Sequence, residues 1–256
     1  MKMIIIIPAH NEEKRITQTL KDYTFYFDSL KKQGKLDYEI LVVVNNCKDK
    51  TLEIVKSFSK NNSSVNSIVL SQGGKGYAVI EGFKSALSRK FDFIGFVDAD
   101  ESTPPSAFHL LIKKMGSAEG TIASRYIKGS RVYPKQSIKR IIGSRVFNLL
   151  ARILFLMPYK DTQCGAKLFK SYALREVIPK LKLSTWAFDV DILYNLRKKG
   201  YYIREVETIW SDKTLSKISF FKNGTFMALG IIRLRLLNSP FKSLIKLYDK
   251  FLILNQ

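Results

Sequence analysis

Two carboxylates stand close together in the stretch Asp98-Ala99-Asp100, directly after the apolar run of residues 91–97. Carboxylate oxygens suit a hard divalent cation such as Mg²⁺ or Mn²⁺, and such a cation can bind a diphosphate and neutralise a departing nucleotide. The tripeptide is common in surface loops, but its position after a predicted buried strand favours a metal-diphosphate site at Asp98 and Asp100.

A second candidate for phosphate binding is the segment Gly73-Gly74-Lys75-Gly76, which opens a predicted helix. Glycines let a ligand approach the backbone closely, and Lys75 adds a positive charge at a helix N-terminus. The Lys-Ser/Thr pair of a P-loop does not follow, so a plain turn is the alternative.

The stretch from Pro8 to Glu13 follows the first predicted strand and carries three more polar candidates. Glu12 could hydrogen-bond a ribose or a base, whereas Glu12 and Glu13 could equally interact with the dipole of the following helix. His10 on its own is more typical of a structural or exposed histidine than of a ligand.

The elements that must position these residues alternate between strand and helix. Short β-branched runs predict buried strands, and apolar residues at helical spacing predict the helices between them. This order predicts an α/β fold of parallel βαβ units, whose ligands bind beyond the carboxyl ends of the strands, where Asn45, Lys75 and Asp98 fall. The predicted strands cover 4–7, 38–44, 67–70 and 91–97. The first predicted helix ends near residue 30, the second covers 51–59, and the third runs from the glycine-rich turn to residue 87.

The second half of the chain is less regular, with a predicted strand over 121–126 and a predicted helix over 137–158. The apolar stripe of that helix is either a core-facing side or an interfacial surface beneath anionic headgroups, flanked by Arg145 and Arg152. The tail after residue 213 offers the same alternatives, and its apolar surface favours a membrane over a nucleic-acid groove. The stripe comprises Ile138, Ile141, Ile142, Val146, Leu149, Leu150, Ile153, Leu154 and Met157.

The composition is that of a globular, strongly basic protein. Its 256 residues include 43 Lys and Arg against 22 Asp and Glu, and 46% are apolar, which excludes a disordered or collagen-like chain. Residues 125–256 hold 26 of the basic residues and 8 of the acids. This excess of positive charge creates an electrostatic field that attracts phosphate groups. Two distant cysteines argue against a disulfide scaffold or a zinc cluster. We predict no signal peptide and no membrane span.

Taken together, these segments resemble the family-2 glycosyltransferases, and most closely the dolichyl-phosphate glucose and mannose synthases. The resemblance implies a GT-A, Rossmann-like, mostly parallel sheet flanked by helices over residues 1–217, followed by basic amphipathic helices that associate with a membrane over 218–256. It rests on seven stretches in the family's order: IPAHNEEKRI (7–16), VVVNNCKDKT (42–51), GGKGYAVIEGF (73–83), FVDADESTPP (96–105), ASRY (123–126), DTQCGAKLF (161–169) and WAFDVDILYNLRKKGYYIREVETIW (186–210).

The resemblance also implies a set of site residues. Those around the nucleotide are Pro8, Ala9, Glu12, Asn45 and Lys75, with Asp98 and Asp100 on the metal and diphosphate. Those around the sugar and acceptor are the catalytic candidates Arg125, Gln163 and Asp189, together with Arg140, Ser216 and Lys217. Many relatives carry an aspartate pair at Val44-Asn45, and an asparagine both donates and accepts, so the choice between uracil and guanine stays open.

The activity implied is inverting transfer of a sugar, glucose first, from a nucleotide-sugar to dolichyl or polyprenyl phosphate, with Mg²⁺ or Mn²⁺ as cofactor. A lipid phosphate is mostly ionised at pH 7, so it needs cations rather than a general base. UDP-glucose is the expected donor. The alternatives are mannosyl transfer from GDP-mannose, and a sugar or glycolipid hydroxyl as acceptor with Asp189 as the base.

A non-catalytic binder of nucleic acid or of anionic surfaces is the alternative from another class. The interleaved aromatic and basic residues that such a sheet face needs are not evident, so no nucleic-acid partner is predicted. We expect a peripheral protein on an anionic membrane, at its cytoplasmic face.

Overall fold

The computed structural model describes the backbone of residues 1–134, 137–182, 187–211, 220–240, 242–245 and 248–249, and their side chains except those of 220–226 and 242. Strands and helices alternate through most of this chain. In order they are β1 (Lys2–Ala9), α1 (Ile16–Lys32), β2 (Asp37–Asn45), α2 (Thr51–Asn61), β3 (Val65–Leu70), α3 (Lys75–Leu87), β4 (Phe93–Val97), α4 (Pro105–Lys113), β5 (Gly120–Ser124), β6 (Arg131–Tyr133), α5 (Ile138–Phe155), β7 (Ala166–Lys170), α6 (Ser171–Val177), α7 (Phe188–Lys198), β8 (Ile203–Glu207), β9 (Ile209–Ser211) and α8 (Phe220–Leu237).

Seven of the strands form one sheet in the order β3-β2-β1-β4-β7-β5-β8. The pairs β1–β2, β1–β4, β2–β3 and β5–β8 are parallel, whereas β7 runs antiparallel to both of its neighbours, β4 and β5. Strands β6 and β9 form a separate small parallel sheet. The predicted α/β, mostly parallel architecture is confirmed.

Both faces of the large sheet are covered by helices. One core joins the sheet to α3, α5, α6, α7 and α8, and the other joins it to α1, α2 and α4. The five residues from Met3 to Ile7 are fully buried, which is why β1 is an unbroken apolar run rather than an alternating one. Each isoleucine buried in this way contributes roughly 1.5–3 kcal/mol.

The helix predicted over 137–158 is α5, and most of its predicted apolar stripe does not face the core. The residues of α5 that pack inward include Phe147, Ala151 and Phe155. Met157 lies beyond the helix and is buried. Of the predicted stripe, the residues exposed to solvent are Ile138, Ile141, Ile142, Val146, Leu149 and Ile153. The core-facing interpretation of the stripe is therefore wrong for these six.

The strand predicted over 121–126 ends at Ser124. Arg125 and Tyr126 leave the sheet because their side chains bond elsewhere, Arg125 to Asp161 and Tyr126 to Ser144. In the part of the chain that the structure describes, every helix is too short or too polar to cross a bilayer.

Candidate active site

Three of the predicted nucleotide-binding residues share one face of the sheet at its carboxyl edge. Ile6, Val43 and Phe96 belong to the core that includes α3. Alternate residues of a strand share a face, so the next positions on that face are Pro8, Asn45 and Asp98. Ala9 lies on the opposite face and is fully buried in the second core.

Asn45 is 2% exposed, and its Oδ1 has no hydrogen-bond partner among the described residues. Its backbone carbonyl is already engaged, at 2.7 Å from Nδ1 of His10. A buried acceptor without a donor costs about 1–3 kcal/mol, so this oxygen is suited to accept an N–H group from a ligand such as a base.

The loops around this edge are locally strained. Asn11, Asn46 and Glu101 follow β1, β2 and β4, and all three have positive φ angles, of 55°, 48° and 57°. Such backbone conformations cluster at functional sites, and here they cluster where the predicted substrate residues lie.

Glu12 lies at a cavity of about 480 Å³ between the loops that follow β1 and β2. Both of its carboxylate oxygens accept hydrogen bonds from Arg15, at 2.6 Å each. The backbone N–H of Glu12 donates to Oγ1 of Thr51 (2.8 Å). Glu12 is thus a fixed acid at the cavity mouth, where its predicted contact with a ribose stays a prediction.

Lys75 and Asp98 form an ion pair of 2.5 Å at the centre of the site, with side chains that are 42% and 32% exposed. Burial lowers the pKa of Lys75, but the carboxylates of Asp98, Asp189 and Asp100 raise it more, so it lies above its usual value. Burial raises the pKa of Asp98, Lys75 opposes this, and Asp100 and Asp189 add to the rise. These mutual effects place all four groups in one electrostatic cluster.

Asp98 and Asp100 fit the divalent cation that the sequence predicts. Both offer oxygen ligands, and Asp100 uses Oδ1 to accept the backbone N–H of Ser102 (2.9 Å). Among the described residues, no group of three or more His, Cys, Asp or Glu side chains is placed to hold a metal ion. Because Mg²⁺ is often held by one or two carboxylates plus substrate phosphates and water, two aspartates suffice.

The turn before β7 lies against Asp98. The backbone N–H of Asp98 donates to the carbonyl of Gly165 (3.0 Å). A Cβ atom on Gly165 would overlap the Asp98 carboxylate. The close approach therefore requires a glycine at 165, a residue within the DTQCGAKLF stretch that sequence reasoning did not single out.

Asp189 is in the first turn of α7 and is 7% exposed. Its Oδ1 accepts a hydrogen bond of 2.6 Å from the ammonium of Lys167, whose side chain is fully buried. Sequence reasoning missed Lys167. The available signal was a lysine among the apolar residues of a short strand, since charged residues are almost never fully buried unless they are paired.

Arg125 is held by Asp161 rather than exposed to a ligand. Its Nε and Nη2 donate to the two oxygens of Asp161, at 2.7 and 2.9 Å, and the side chains are 9% and 0% exposed. Burial raises the pKa of Asp161, but the Arg125 guanidinium outweighs it and holds that pKa below its usual value. Sequence reasoning did not single out Asp161, whose carboxylate cancels much of the positive charge of Arg125.

The Arg125 guanidinium is part of a stack in which three arginines alternate with two aromatic rings, which we call the arginine stack. It lies 5.3 Å from the Tyr126 ring and 5.4 Å from the Trp210 ring. Arg140 lies on Trp210 at 5.5 Å, and Arg145 on Tyr126 at 4.7 Å. Cation–π contacts of this kind hold guanidinium planes in place, so Arg140 and Arg145 are positioned cations at the start of α5.

Gln163 lies in the chain between Asp161, the partner of Arg125, and β7. Its Nε2 is buried, and neither it nor Oγ of Ser124 finds a hydrogen-bond partner within the described ranges. The predicted position of Gln163 near the sugar or the acceptor stays a prediction. Ser216 and Lys217 lie outside the described residues.

Comparisons with known proteins agree with this geometry. The model of glycosyl transferase family 2 matches residues 4–178. The chain is 33% identical over 241 residues to a dolichyl-phosphate beta-glucosyltransferase of Dictyostelium discoideum, covering 90% of this chain and 73% of that protein. It is 29% identical over 246 residues to the Homo sapiens protein of the same name, covering 92% and 75%.

Solved structures show the same fold. Glucosyl-3-phosphoglycerate synthase from Mycobacterium tuberculosis, crystallised with Mn²⁺, uridine diphosphate and phosphoglyceric acid, has a TM-score of 0.66 at 15% identity, over 93% of this chain and 78% of that one. Mannosyl-3-phosphoglycerate synthase from Rubrobacter xylanophilus gives 0.60 at 14%, over 95% and 75%. The family model matches most of the chain, and the sheet, the strand-end aspartates and the relatives agree with it: the chain belongs to glycosyl transferase family 2 and is a glycosyltransferase with the GT-A fold.

Proposed function

We propose that this glycosyltransferase moves a glucosyl group from UDP-glucose to dolichyl or polyprenyl phosphate, with inversion at the anomeric carbon. The observation that carries the proposal is the cluster of Lys75, Asp98, Asp100 and Asp189 at the carboxyl edge of the sheet, with the arginine stack nearby. The cluster of one lysine and three aspartates suits a donor diphosphate with its metal ion, and the arginine stack suits a phosphate acceptor.

On the donor side, Asp98 and Asp100 would hold Mg²⁺ or Mn²⁺, which supplies positive charge that stabilises a departing diphosphate. Lys75 is the fixed cation of this part of the site, since the carboxylates around it keep it protonated. Through its unpartnered Oδ1, Asn45 is suited to accept a hydrogen bond from an N–H group of the base. Uracil and guanine both carry such an N–H group. The choice of uracil rests on the relatives' glucosyl transfer.

On the acceptor side, an ionised lipid-phosphate oxygen attacks the anomeric carbon, a new C–O bond forms, and the bond to the diphosphate oxygen breaks. No proton has to be removed from such a nucleophile at pH 7. Arg140 and Arg145 are held by aromatic rings at the edge where that phosphate would dock. Asp189 then stabilises the positive charge that develops on the sugar ring.

A hydroxyl acceptor is the second candidate, because Asp189 is a buried carboxylate that could act as a base. One of its oxygens, however, already accepts a hydrogen bond from the Lys167 ammonium. This arrangement favours the charge-stabilising role and with it the phosphate acceptor.

We further propose that α5 docks on the cytoplasmic face of an anionic membrane. Six of its aliphatic side chains are exposed, and with Leu156, which is 79% exposed, they form one apolar face beside Lys139, Arg145 and Arg152. An exposed apolar face flanked by cations is typical of interfacial helices, and it would bring the arginine stack to the level of lipid headgroups.

The activity is tested with purified protein, a divalent cation, dolichyl phosphate and three donors: UDP-glucose, UDP-GlcNAc and GDP-mannose. We expect a glucosylated lipid from UDP-glucose only. Asp100→Ala should abolish the product, and the matched surface change Asp22→Ala should not. Product from GDP-mannose alone, or product on a sugar hydroxyl but not on the lipid phosphate, would overturn the proposal.

The membrane proposal is tested by sedimentation with anionic vesicles. Ile142 and Ile153 are 56% and 62% exposed on α5, and Phe25 is 83% exposed on α1. We expect Ile142→Asp combined with Ile153→Asp to abolish vesicle binding and Phe25→Asp to leave it intact. Equal binding by all three proteins would refute the docking of α5.

A further inference from the structure

Lys167 is a lysine whose side chain lies inside the protein. It is on β7, the strand between β4 and β5, and its side chain is 0% exposed. Taking an ammonium out of water is costly unless it is paired and hydrogen-bonded, and a pair of apolar residues of similar size is often at least as stabilising as a buried ion pair. A buried lysine here needs an explanation other than stability.

Three contacts surround the ammonium. It donates to Oδ1 of Asp189 at 2.6 Å and to the carbonyl of Cys164 at 2.7 Å. It also lies 5.2 Å from the ring of Phe96. The Cys164 carbonyl lies in the turn that leads into β7, and the Phe96 ring lies on β4, so both anchor the ammonium to the sheet. Of the three contacts, only Asp189 lies on a separate helix, α7.

The site needs this second cation because it gathers negative charge. Asp98 and Asp100 lie near Asp189, and Asp98 has its own cation, Lys75, at 2.5 Å. Lys75 also lies 5.9 Å from the same Phe96 ring. Two lysine–aspartate pairs therefore share one aromatic ring, one pair on the donor side of the site and one at Asp189.

We propose that Lys167 is a positioning residue that fixes the carboxylate of Asp189 at the reacting sugar. Asp189 has one oxygen, Oδ1, on Lys167, and its charge acts on Lys75 and Asp98 in the site. Without the ammonium, the carboxylate loses its partner and turns or moves away from the sugar. This inference rests on the proposed glycosyl transfer, since it assigns a task to a residue of that same site.

The test compares kcat and KM of Lys167→Met, a change of similar length that removes the charge, with those of Lys170→Met on the same strand. Lys170 lies three residues further on and is partly exposed. We expect Lys167→Met to lower kcat about 10- to 100-fold, the usual consequence of misplacing a group at the reacting centre. The KM for the nucleotide-sugar should stay within about twofold, because the donor-side groups are untouched. Lys170→Met should match the wild type.

A double variant separates positioning from folding. If Lys167 acts through Asp189, the variant Lys167→Met/Asp189→Asn should turn over as slowly as Asp189→Asn and no slower, since coupled residues are not additive. This comparison also replaces the single variant if Lys167→Met does not fold, because the double variant removes both buried charges together.

Two results would overturn the inference: a Lys167→Met enzyme with unchanged kcat, or a double variant about tenfold slower than Asp189→Asn. Failure of the proposed function has a different signature, namely a wild-type protein that makes no lipid-linked glucose.

Discussion

Replacing Gly165 with alanine adds one methyl group at the most crowded point of the site. Gly165 lies in the turn before β7, and its carbonyl accepts the backbone N–H of Asp98 at 3.0 Å. The new Cβ would overlap the carboxylate of Asp98. The hydrogen bond holds the two backbones together, so the strain falls on the Asp98 side chain, which must leave its place beside Lys75.

The size of the effect follows from the overlap. Cβ atoms essentially never approach another heavy atom within 3.0 Å, so the carboxylate has to move by about 1 Å or more. A displacement of about 1 Å at a reacting centre costs on the order of 100-fold in rate, or about 2.7 kcal/mol of transition-state stabilisation. Overpacking also destabilises the fold by about 1–3 kcal/mol.

The assay is kcat/KM for glucosyl transfer together with calorimetric binding of uridine diphosphate in the presence of Mn²⁺. A matched control is Gly120→Ala at the start of β5, where a Cβ would meet only the side chains of Phe169 and Ile203, at 2.5 and 2.9 Å. We expect Gly120→Ala to lose stability and Gly165→Ala to lose turnover and metal-dependent binding. If both folded variants keep the same kcat/KM, Gly165 does not set the position of Asp98.

Three further outcomes follow from the geometry. Asp161→Asn leaves the Arg125 guanidinium buried without its partner and should lower the free energy of unfolding by about 3–5 kcal/mol, measured by urea denaturation. Burial raises the pKa of Asp191 to about 6. The folded state therefore binds that proton more tightly, and roughly 3 kcal/mol of stability should be lost as pH rises from about 4 through 6, a slope that Asp191→Asn removes. Trp210→Ala frees Arg140 from its ring and should raise the KM for the lipid phosphate about tenfold without changing donor binding.

The sequence predicts the placement of the donor-side residues in the fold well, because that placement depends on local patterns. Unbroken β-branched runs mark β1 and β2, and the polar residues that follow such runs must lie at the carboxyl edge of a parallel sheet. Asn45 and Asp98 are therefore found together from pattern alone. The structure agrees to within a few residues at each strand end, which is the precision that hydrophobic periodicity allows.

The acceptor half is harder to predict, because its contacts join residues that are far apart in the chain. The pairing of Arg125 with Asp161 and of Lys167 with Asp189 depends on tertiary packing, and a buried ion pair leaves no periodic signal. The family resemblance implies that Arg125 contacts a phosphate. The structure instead pairs Arg125 with Asp161, while Arg140 and Arg145 contact the rings of the arginine stack.

The direction of β7 explains why so many of these contacts meet at one point. A parallel strand brings only its carboxyl end to the site, whereas β7 is antiparallel to β4 and β5 and brings its amino end. The turn that enters β7 can therefore place Gly165 on Asp98, and Lys167, one residue into the strand, can reach Asp189 on α7. In a fully parallel sheet that turn would lie at the opposite edge, about five residues and some 17 Å away, and Asp98 and Asp189 would have no common support. The reversed strand thus connects the donor side of the site to its acceptor side.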